Sequence, residues 1–327
     1  MASSKLLLGL DFGGTKLTAG LALAGEDELL ARAQCPTPSD KSAREVFAAI
    51  AELARGLLRE ISQSPAAVGV SFGGPVDAAT GRVITCHHLP GWDDVPLREW
   101  VEEAFNAPAA VENDANAGAL GEWRFGAGRG CDDLLYITVS TGIGGGLILD
   151  GRLRHGLNSL AGEIGHMIVE PGGPVCTCGR RGCLEALAAG PAIARRAREL
   201  LKAEPQRGQV LRRLAGGDLE SITSKMVSQA AAAGDEVAQQ ALDEAARALG
   251  LGIANAATLL NPKLVVLGGG VIKAGERFLS VVRTVAQKQA LQGIEVRIVE
   301  AALGDDAPLW GAIALAMGLL GTEHFPR

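Results

Sequence analysis

Short apolar runs alternate along this chain with longer amphipathic stretches, a pattern typical of α/β proteins. The apolar runs predict buried strands at 5–11, 15–23, 66–72, 109–111, 133–141, 147–149, 264–267 and 295–299. Apolar residues that recur every three or four positions predict helices at 42–60, 97–105, 115–122, 191–201, 224–233, 235–260, 276–289 and 307–320. The segment 203–217 shows neither pattern and is predicted to be loose.

One arrangement, in which a glycine-rich polar turn joins two strands, occurs twice in the chain. The turns are Asp11–Lys16, which contains Gly13, Gly14 and Thr15, and Thr141–Gly146, which contains Gly142. Two copies of one plan predict an internal duplication into two similar halves. Glycines let backbone N–H groups approach a phosphate closely, and the Asp11 carboxylate could hold a metal-bound water. A plain Gly-Gly hairpin turn is the competing interpretation, and the spacing excludes a Walker A loop.

Further glycines follow two other predicted strands. Gly73, Gly74 and Pro75 come directly after the strand at 66–72, and Gly268–Gly270 after the strand at 264–267. Ligands of open α/β sheets gather at the carboxyl ends of the strands. We therefore expect the adenine or ribose of a nucleotide to lie against Gly268 and Gly269.

Three polar residues, Asn113, Asp114 and Asn116, lie where the strand at 109–111 leads into a helix. Asp114 is thus expected at the positive end of the helix dipole. An N-cap is its competing role, which any Asp or Asn could fill. Because one cap needs only one such side chain, the group favours a functional site.

Metal-binding side chains are concentrated between Glu163 and Glu185. This stretch contains one imidazole and three thiols, those of His166, Cys176, Cys178 and Cys183. A Cys₃His set is a closed tetrahedral site for a structural zinc, and the glycines and prolines between the ligands let a short loop wrap around an ion. Ordinary buried thiols beside a core histidine are the alternative. A zinc here would also hold the two flanking carboxylates in place.

Composition excludes several classes of protein. The 327 residues carry a net charge of −6, so no basic face is expected for nucleic acid. Aromatic residues make up only 4% of the chain, too few for a surface on which bases stack. No apolar run reaches the eighteen or so residues that a membrane span requires, and the N-terminus does not resemble a signal peptide. We expect a cytoplasmic protein that binds neither nucleic acid nor a membrane.

Together the motifs resemble the ROK family (repressors, open reading frames and kinases), in particular its bacterial ATP-dependent sugar kinases. The resemblance covers nearly the whole chain and rests on Asp11–Lys16, Gly74–Pro75, Leu89–Trp92, Glu112–Asn116, Thr141–Gly146, Gly162–His166, Cys176–Glu185 and Gly268–Gly270. It implies an actin-like ATPase (ribonuclease H-like) fold, with two duplicated α/β domains around a cleft that holds ATP and sugar. We expect a small domain at 1–120, closed by a helix at 307–327, and a large domain at 121–306 with the zinc loop at 163–185. The resemblance also implies a homodimer or a tetramer.

The resemblance assigns roles to individual residues. Asp114 is implied as the general base that takes the proton of the attacking sugar hydroxyl. Sugar-binding groups are implied at Gly74, Asn113, Glu163, His166 and Glu185. Nucleotide or Mg²⁺ contacts are implied at Asp11, Gly13, Gly14, Thr15, Lys16, Thr141, Gly142, Gly268 and Gly269. His166 is implied to serve twice, with one ring nitrogen on zinc and the other toward the sugar.

The expected reaction is therefore phosphoryl transfer from ATP to a hexose, with glucose as the leading acceptor. N-Acetylmannosamine, N-acetylglucosamine, fructose and allose are the alternative acceptors, and polyphosphate is the alternative donor. A non-catalytic sugar sensor is the competing class, against which the intact Asp114 and both glycine turns argue. His88 stands where many relatives have an asparagine, a difference that bears on which hexose is preferred.

Overall fold

The structure is a computed structural model that describes residues 5–86 and 90–321. His88, whose departure from the family pattern bears on the choice of hexose, lies outside the described residues, as do the last six residues of the predicted helix at 307–327. The strands are β1 (Leu6–Phe12), β2 (Lys16–Leu23), β3 (Leu29–Pro36), β4 (Ala67–Phe72), β5 (Val76–Asp77), β6 (Arg82–Val83), β7 (Ala109–Asn113), β8 (Leu134–Val139), β9 (Ile143–Leu149), β10 (Arg152–Leu153), β11 (Leu264–Gly268) and β12 (Ile298–Glu300). The helices are α1 (Ala43–Ile61), α2 (Leu97–Phe105), α3 (Asp114–Phe125), α4 (Glu185–Ala188), α5 (Gly190–Ala203), α6 (Gln209–Leu214), α7 (Ser224–Ala232), α8 (Glu236–Leu260), α9 (Glu276–Gln289) and α10 (Ala307–Leu319).

Two five-stranded sheets share one topology. Their strand orders are β3-β2-β1-β4-β7 and β10-β9-β8-β11-β12, so each strand of the first sheet has a counterpart in the second. In the first sheet β1 pairs antiparallel with β2 and parallel with β4, which in turn pairs parallel with β7. In the second sheet β10 pairs antiparallel with β9 and β11 pairs parallel with β12. The predicted internal duplication is visible in this matched order.

The chain divides into two compact units. The first runs from the N-terminus to Tyr136 and also contains Gly146–Gly162 and the chain from Ala301 onward. The second contains Ile137–Gly145 and Glu163–Glu300. The boundary therefore crosses β8 and β9, which begin or end in one unit and continue in the other.

In the first unit, helix α10 packs unusually closely against the sheet and α3, and glycines make this possible. A Cβ on Gly69 of β4 would lie 1.7 Å from the carbonyl oxygen of Ala312, and one on Gly311 would lie 1.7 Å from that of Ala117. The fully buried Glu122 of α3 accepts the backbone N–H groups of Ala302 and Leu303, at 3.0 and 2.8 Å. Helix α3 is thereby tied to α10 at Ala117 and to the segment that precedes α10 at Glu122.

Aromatic rings fill the core beneath the β1–β2 turn. Trp92 is fully buried, and its ring centroid lies 5.7 Å from that of Phe12 and 4.7 Å from that of Phe72. Phe12 and Phe72 are the last residues of β1 and β4. These contacts fix the ends of the two strands from which the candidate site residues extend.

In the second unit, Asp235 links two helices that are distant in sequence. One of its carboxylate oxygens caps α8 by accepting Val237 N and Ala238 N, each at 3.1 Å. The other accepts Val210 N and Leu211 N at the start of α6, each at 3.0 Å. Helix α6 lies inside the segment 203–217 that was predicted to be loose, so that prediction was wrong for these residues.

Strand β3 is another element that the sequence did not predict, as are the two-residue strands β5, β6 and β10 and the short helix α4. Strand β3 lies at the edge of the first sheet, and its residues alternate between exposed and half-buried positions. The other predicted strands and helices of the described residues are present, with ends that differ by a few positions. None of the helices in the described part of the chain combines the length and the apolar composition that crossing a membrane requires.

Candidate functional site

The junction of β7 and α3 places Asp114 at the first turn of a helix. Asn113 occupies the N-cap position, where its side-chain oxygen accepts Ala115 N at 2.9 Å and Asn116 N at 3.3 Å. The competing role of Asp114 as the N-cap is therefore filled by its neighbour. Asp114 is half-buried and lies at the positive end of the helix dipole, which favours its charged form.

Asp114 faces the glycine turn that follows β4. A Cβ on Gly73 would lie 3.7 Å from Asp114 Oδ2, so the carboxylate lies directly beside this backbone. The other carboxylate oxygen, Oδ1, accepts Ala115 N at 2.8 Å and Asn113 Nδ2 at 3.1 Å. Asn113 Nδ2 also donates to the carbonyl oxygen of Gly74 at 3.0 Å. These bonds fix the orientation of Asp114 at the start of α3, and a fixed orientation is what a carboxylate that accepts a proton requires.

The β1–β2 turn is an antiparallel hairpin whose two glycines differ in what they face. Gly13 N donates to the carbonyl oxygen of Lys16 at 3.1 Å, and a Cβ on Gly13 would lie 2.8 Å from that oxygen, so the turn itself requires a glycine here. Around Gly14 no heavy atom of the described residues lies within 4 Å of the Cβ position. Thr37 on the other side bonds the carbonyl oxygens of Gly13 and Thr15. The turn is braced from behind, and Gly14 faces open space in which a phosphate could bind.

Asp11 is a buried acid at the end of β1, with Ser71 Oγ donating to it at 2.8 Å. Burial raises the pKa of Asp11 from 3.8 to about 7; the charges of Asp114 and Asp306 add to this rise, and Ser71 and Lys16 oppose it. A divalent cation would reverse the effect, since a positive charge favours the ionised carboxylate. The donor set of carboxylates is of the kind that Mg²⁺ prefers.

Asp11 should therefore make stability depend on pH. In the metal-free folded protein Asp11 keeps its proton up to about pH 7, whereas the unfolded chain releases it near pH 3.8. The raised pKa of Asp11 therefore lowers the free energy of unfolding, by an amount that grows as the pH rises from about 4 to about 7 and is constant above. At about 1.36 kcal/mol per pKa unit, this loss of stability reaches about 4 kcal/mol. We expect Asp11→Asn to raise the free energy of unfolding at pH 8 more than at pH 5, as measured by urea denaturation without Mg²⁺ or nucleotide. Asp40→Asn, at an exposed acid, is the control, and an equal effect of Asp11→Asn at both pH values would contradict this account.

In the second unit, the four predicted zinc ligands lie together. Their ligand atoms are all within 4.8 Å of one another. Cys178 Sγ and Cys183 Sγ are 3.7 Å apart, as are Cys176 Sγ and His166 Nδ1. A tetrahedral zinc with ordinary bond lengths separates two sulfurs by about 3.8 Å and a sulfur and a nitrogen by about 3.6 Å. The geometry thus fits the ion that the sequence predicts.

The thiols differ in how readily they ionise. Backbone and side-chain hydrogen bonds from Arg180 lower the pKa of the exposed Cys178 to about 6. Burial instead raises the pKa of Cys183. Zinc binds thiolates, so a metal would find Cys178 largely ionised at neutral pH and would displace the proton of Cys183.

The zinc ligands and the predicted sugar-binding acids share one short segment. His166 turns Nδ1 toward the cysteines, and its Nε2 lies 3.9 Å from Glu163 Oε2. Glu185, the first residue of α4, accepts Ile143 N at 2.9 Å and Thr177 Oγ1 at 3.3 Å. A Cβ on Gly142 would lie 2.7 Å from Glu185 Oε2. The Thr141–Gly142 turn is therefore in contact with Glu185, and Thr177 lies between two of the cysteines in sequence.

The glycines at the end of β11 differ in their surroundings. Gly269 has a positive φ of 90°, and a Cβ on it would lie 2.3 Å from the carbonyl oxygen of Val139, so the packing of β8 requires a glycine. Gly268 is buried as the last residue of β11, whereas Gly270 has no described heavy atom within 4 Å of its Cβ position. The open position is thus Gly270, one residue beyond the pair predicted to contact the nucleotide.

Four residues of the first unit contact the candidate site without having been assigned a role from sequence. Ser71 and Asp306 act on Asp11, and Glu112 and His155 form an ion pair at 2.6 Å directly before Asn113. Glu112 is the one that the sequence could have indicated, because a carboxylate inside an apolar strand needs a buried partner. Ser71, His155 and Asp306 come from distant parts of the chain, and no local pattern marks them.

Comparison with known proteins identifies close relatives over nearly the full length. The sequence model of the ROK family matches residues 7–318. A glucokinase of Streptomyces coelicolor is 37% identical over 315 residues, which are 95% of this chain and 97% of the relative. An N-acetylmannosamine kinase of Escherichia coli is 34% identical over 311 residues, 95% of this chain and 98% of the relative.

Among solved structures, a ROK family glucokinase of Streptomyces griseus in complex with glucose and AMPPNP is 38% identical, with a TM-score of 0.83. The match covers 96% of this chain and 99% of that one. The actin-like ATPase fold predicted from the sequence is thereby confirmed, and the matched order of the two sheets is its structural basis. By its motifs, its fold and its relatives, the chain belongs to the ROK family.

Proposed function

We propose that this chain is an ATP-dependent glucokinase, which transfers the γ-phosphoryl group of ATP to D-glucose and releases glucose 6-phosphate and ADP. The observation that carries the proposal is the placement of Asp114. Asn113 caps α3, so Asp114 is not the cap, and its carboxylate lies in the first turn of the helix beside the Gly73 turn. The Streptomyces griseus relative, solved with glucose and a nucleotide, supports this choice of substrates.

In the proposed mechanism Asp114 takes the proton from the sugar hydroxyl as its oxygen attacks phosphorus. Phosphoryl transfer needs mainly positioning and charge stabilisation, so one well-placed carboxylate suffices as base. Asn113, Glu163, His166 and Glu185 bind sugar hydroxyls, because a sugar is recognised by paired donors and acceptors. The backbone of Gly74 lies against the same substrate.

The nucleotide is assigned to the glycine turns. Backbone N–H groups of Gly13–Lys16 and the Thr141–Gly142 turn bind phosphate oxygens, and the side chain of Lys16 adds a positive charge. Gly268 and Gly269 lie on the adenosine side. Asp11 would help to hold Mg²⁺, which neutralises developing charge on the phosphates.

We further propose that the Cys₃His cluster holds one structural zinc through His166 Nδ1, Cys176, Cys178 and Cys183. The fit of the ligand distances and the lowered pKa of Cys178 support this assignment. Such a zinc leaves His166 Nε2 on the side of Glu163, where it can contact the sugar. The homodimer and the cytoplasmic location stay predictions.

The acceptor is tested by measuring ADP release with ATP and Mg²⁺ across a panel of hexoses, amino sugars and N-acetyl sugars. We expect glucose to give the highest kcat/KM. The similarity to an N-acetylmannosamine kinase favours that sugar as the second candidate. A preference for N-acetylmannosamine would keep the kinase and change the acceptor, whereas no turnover with any sugar would contradict the proposed function.

A further inference from the structure

Glu112 is a buried carboxylate directly before Asn113 and Asp114. Its side chain is only 2% exposed, yet three groups bond to it. Its Oε1 accepts the backbone N–H of Asn113 at 2.9 Å and Nδ2 of Asn116 at 3.0 Å. Its Oε2 lies 2.6 Å from Nε2 of His155. The proposed mechanism uses neither Glu112 nor His155.

The hydrogen bonds around Glu112 favour a His155 side chain that donates to it. Two of the partners of Glu112 donate N–H groups to Oε1, and Nε2 of His155 donates to Oε2 in the tautomer that carries its hydrogen there. Asn116 turns its NH₂ group to Glu112 although its own buried Oδ1 then lacks a hydrogen-bond partner among the described residues. The hydrogen bond to Glu112 raises the pKa of His155, its charge adds to the rise, and burial opposes it. The adjacent Arg154 pairs instead with Asp150, at 2.7 Å.

Glu112 in turn fixes the residues that orient the candidate base. The Asn113 N–H that it accepts belongs to the cap of α3, and the Asn113 side chain donates to Asp114 Oδ1. A rotation of Glu112 would therefore move the cap and the base together. A displacement of about 1 Å in a catalytic group can lower the rate about a hundredfold.

His155 itself is held by the segment that follows β10. Its carbonyl oxygen accepts Ala161 N at 2.9 Å, and its side chain is 37% exposed while that of Glu112 is 2% exposed. The imidazole is thus the solvent-side partner of a buried charge. Without it, Glu112 Oε2 would lose this hydrogen bond, and the carboxylate would turn toward water.

We propose that His155 is a positioning residue, which acts through Glu112 to keep the Asn113–Asp114 junction in the geometry needed for proton transfer from the sugar. This inference rests on the proposed kinase function. A pair that served only the fold would alter unfolding and leave kcat of the folded enzyme unchanged.

The test compares His155→Ala, which removes the donor, with His155→Gln, which keeps a neutral donor, using Arg154→Ala in the same loop as matched control. We expect His155→Ala to lower kcat for glucose about ten- to a hundredfold with the KM for ATP nearly unchanged. His155→Gln should recover most of kcat, and Arg154→Ala should equal the wild type. Each variant is compared as folded protein, by circular dichroism and thermal unfolding. If the alanine variant does not fold, His155→Phe, which keeps a ring but cannot donate, replaces it.

The ion pair is measured separately by NMR titration of the histidine side chains. We expect His155 to titrate above its ordinary pKa of 6.5 in the wild type and to fall back toward it in Glu112→Gln. An active wild type with unchanged kcat in the donor-free variant would overturn the inference, as would a change confined to KM. A wild type that phosphorylates no sugar would overturn the proposed function first and this inference with it, so the two failures are distinguishable.

Discussion

Replacing Asp114 by alanine is expected to lower kcat for glucose by about a thousandfold or more while leaving glucose binding largely intact. A positioned general base contributes about 10²- to 10⁴-fold to a rate. The cap of α3 is supplied by Asn113, so the helix should not unravel when the Asp114 side chain is removed. The measurement is ADP release at saturating ATP and glucose, with glucose affinity measured by calorimetry on the same preparation.

Asp114→Asn is the matched variant for this experiment. Asparagine keeps the volume of the side chain and can still accept Ala115 N, but it cannot take a proton at neutral pH. It should therefore lose as much kcat as alanine while binding glucose at least as well. Substantial residual turnover in both variants would remove Asp114 as the base and leave it the role of orienting the sugar.

The fold was largely predictable because its elements carry strong local patterns. Burial alone explains the continuous apolar runs of β1, β4 and β11 and the helical spacing of apolar residues in α1. The two glycine turns indicated the duplication. Strand β3 was not predicted because it is an edge strand with exposed positions and few β-branched residues. Helix α6 was not predicted because its start is capped by Asp235, which lies 24 residues or more away in sequence and so outside any local pattern.

The candidate site was predictable only where chemistry is concentrated in sequence. The Cys₃His set shows itself by spacing, and its ligand atoms do lie together. The Asn113–Asp114 pair could be placed at a helix start, but its neighbouring residues alone could not decide which of the two caps the helix. The His155–Glu112 pair spans 43 residues, and it depends on the loop after β10 returning to β7. Contacts of this kind follow from topology and cannot be inferred from a motif.

The zinc cluster gives the second large expected effect. Cys178→Ser should abolish stoichiometric zinc binding, lower the melting temperature and raise the KM for glucose by at least about tenfold. Zinc content is measured by mass spectrometry of the purified protein, with about one ion per chain expected in the wild type because one Cys₃His set is present. Cys178 is suited to this test because it is exposed, so serine removes a ligand without leaving a core cavity. Cys35→Ser, at a half-buried cysteine of β3 outside the cluster, is the matched control.

The glucose effect follows from how the segment is held together. Nδ1 of His166 lies near the cysteines, and Nε2 of the same ring lies near Glu163. Glu185 accepts a hydrogen bond from Oγ1 of Thr177, the residue between Cys176 and Cys178. Loss of the ion should free this loop and with it the three groups proposed to bind sugar hydroxyls. The KM for ATP should change less, because Glu185 contacts only one of the two turns proposed to bind phosphate, and the other, the β1–β2 turn, is braced by its own hydrogen bonds to Thr37. A folded, zinc-free Cys178→Ser protein with the wild-type KM for glucose would show that the metal stabilises the loop without positioning the substrate.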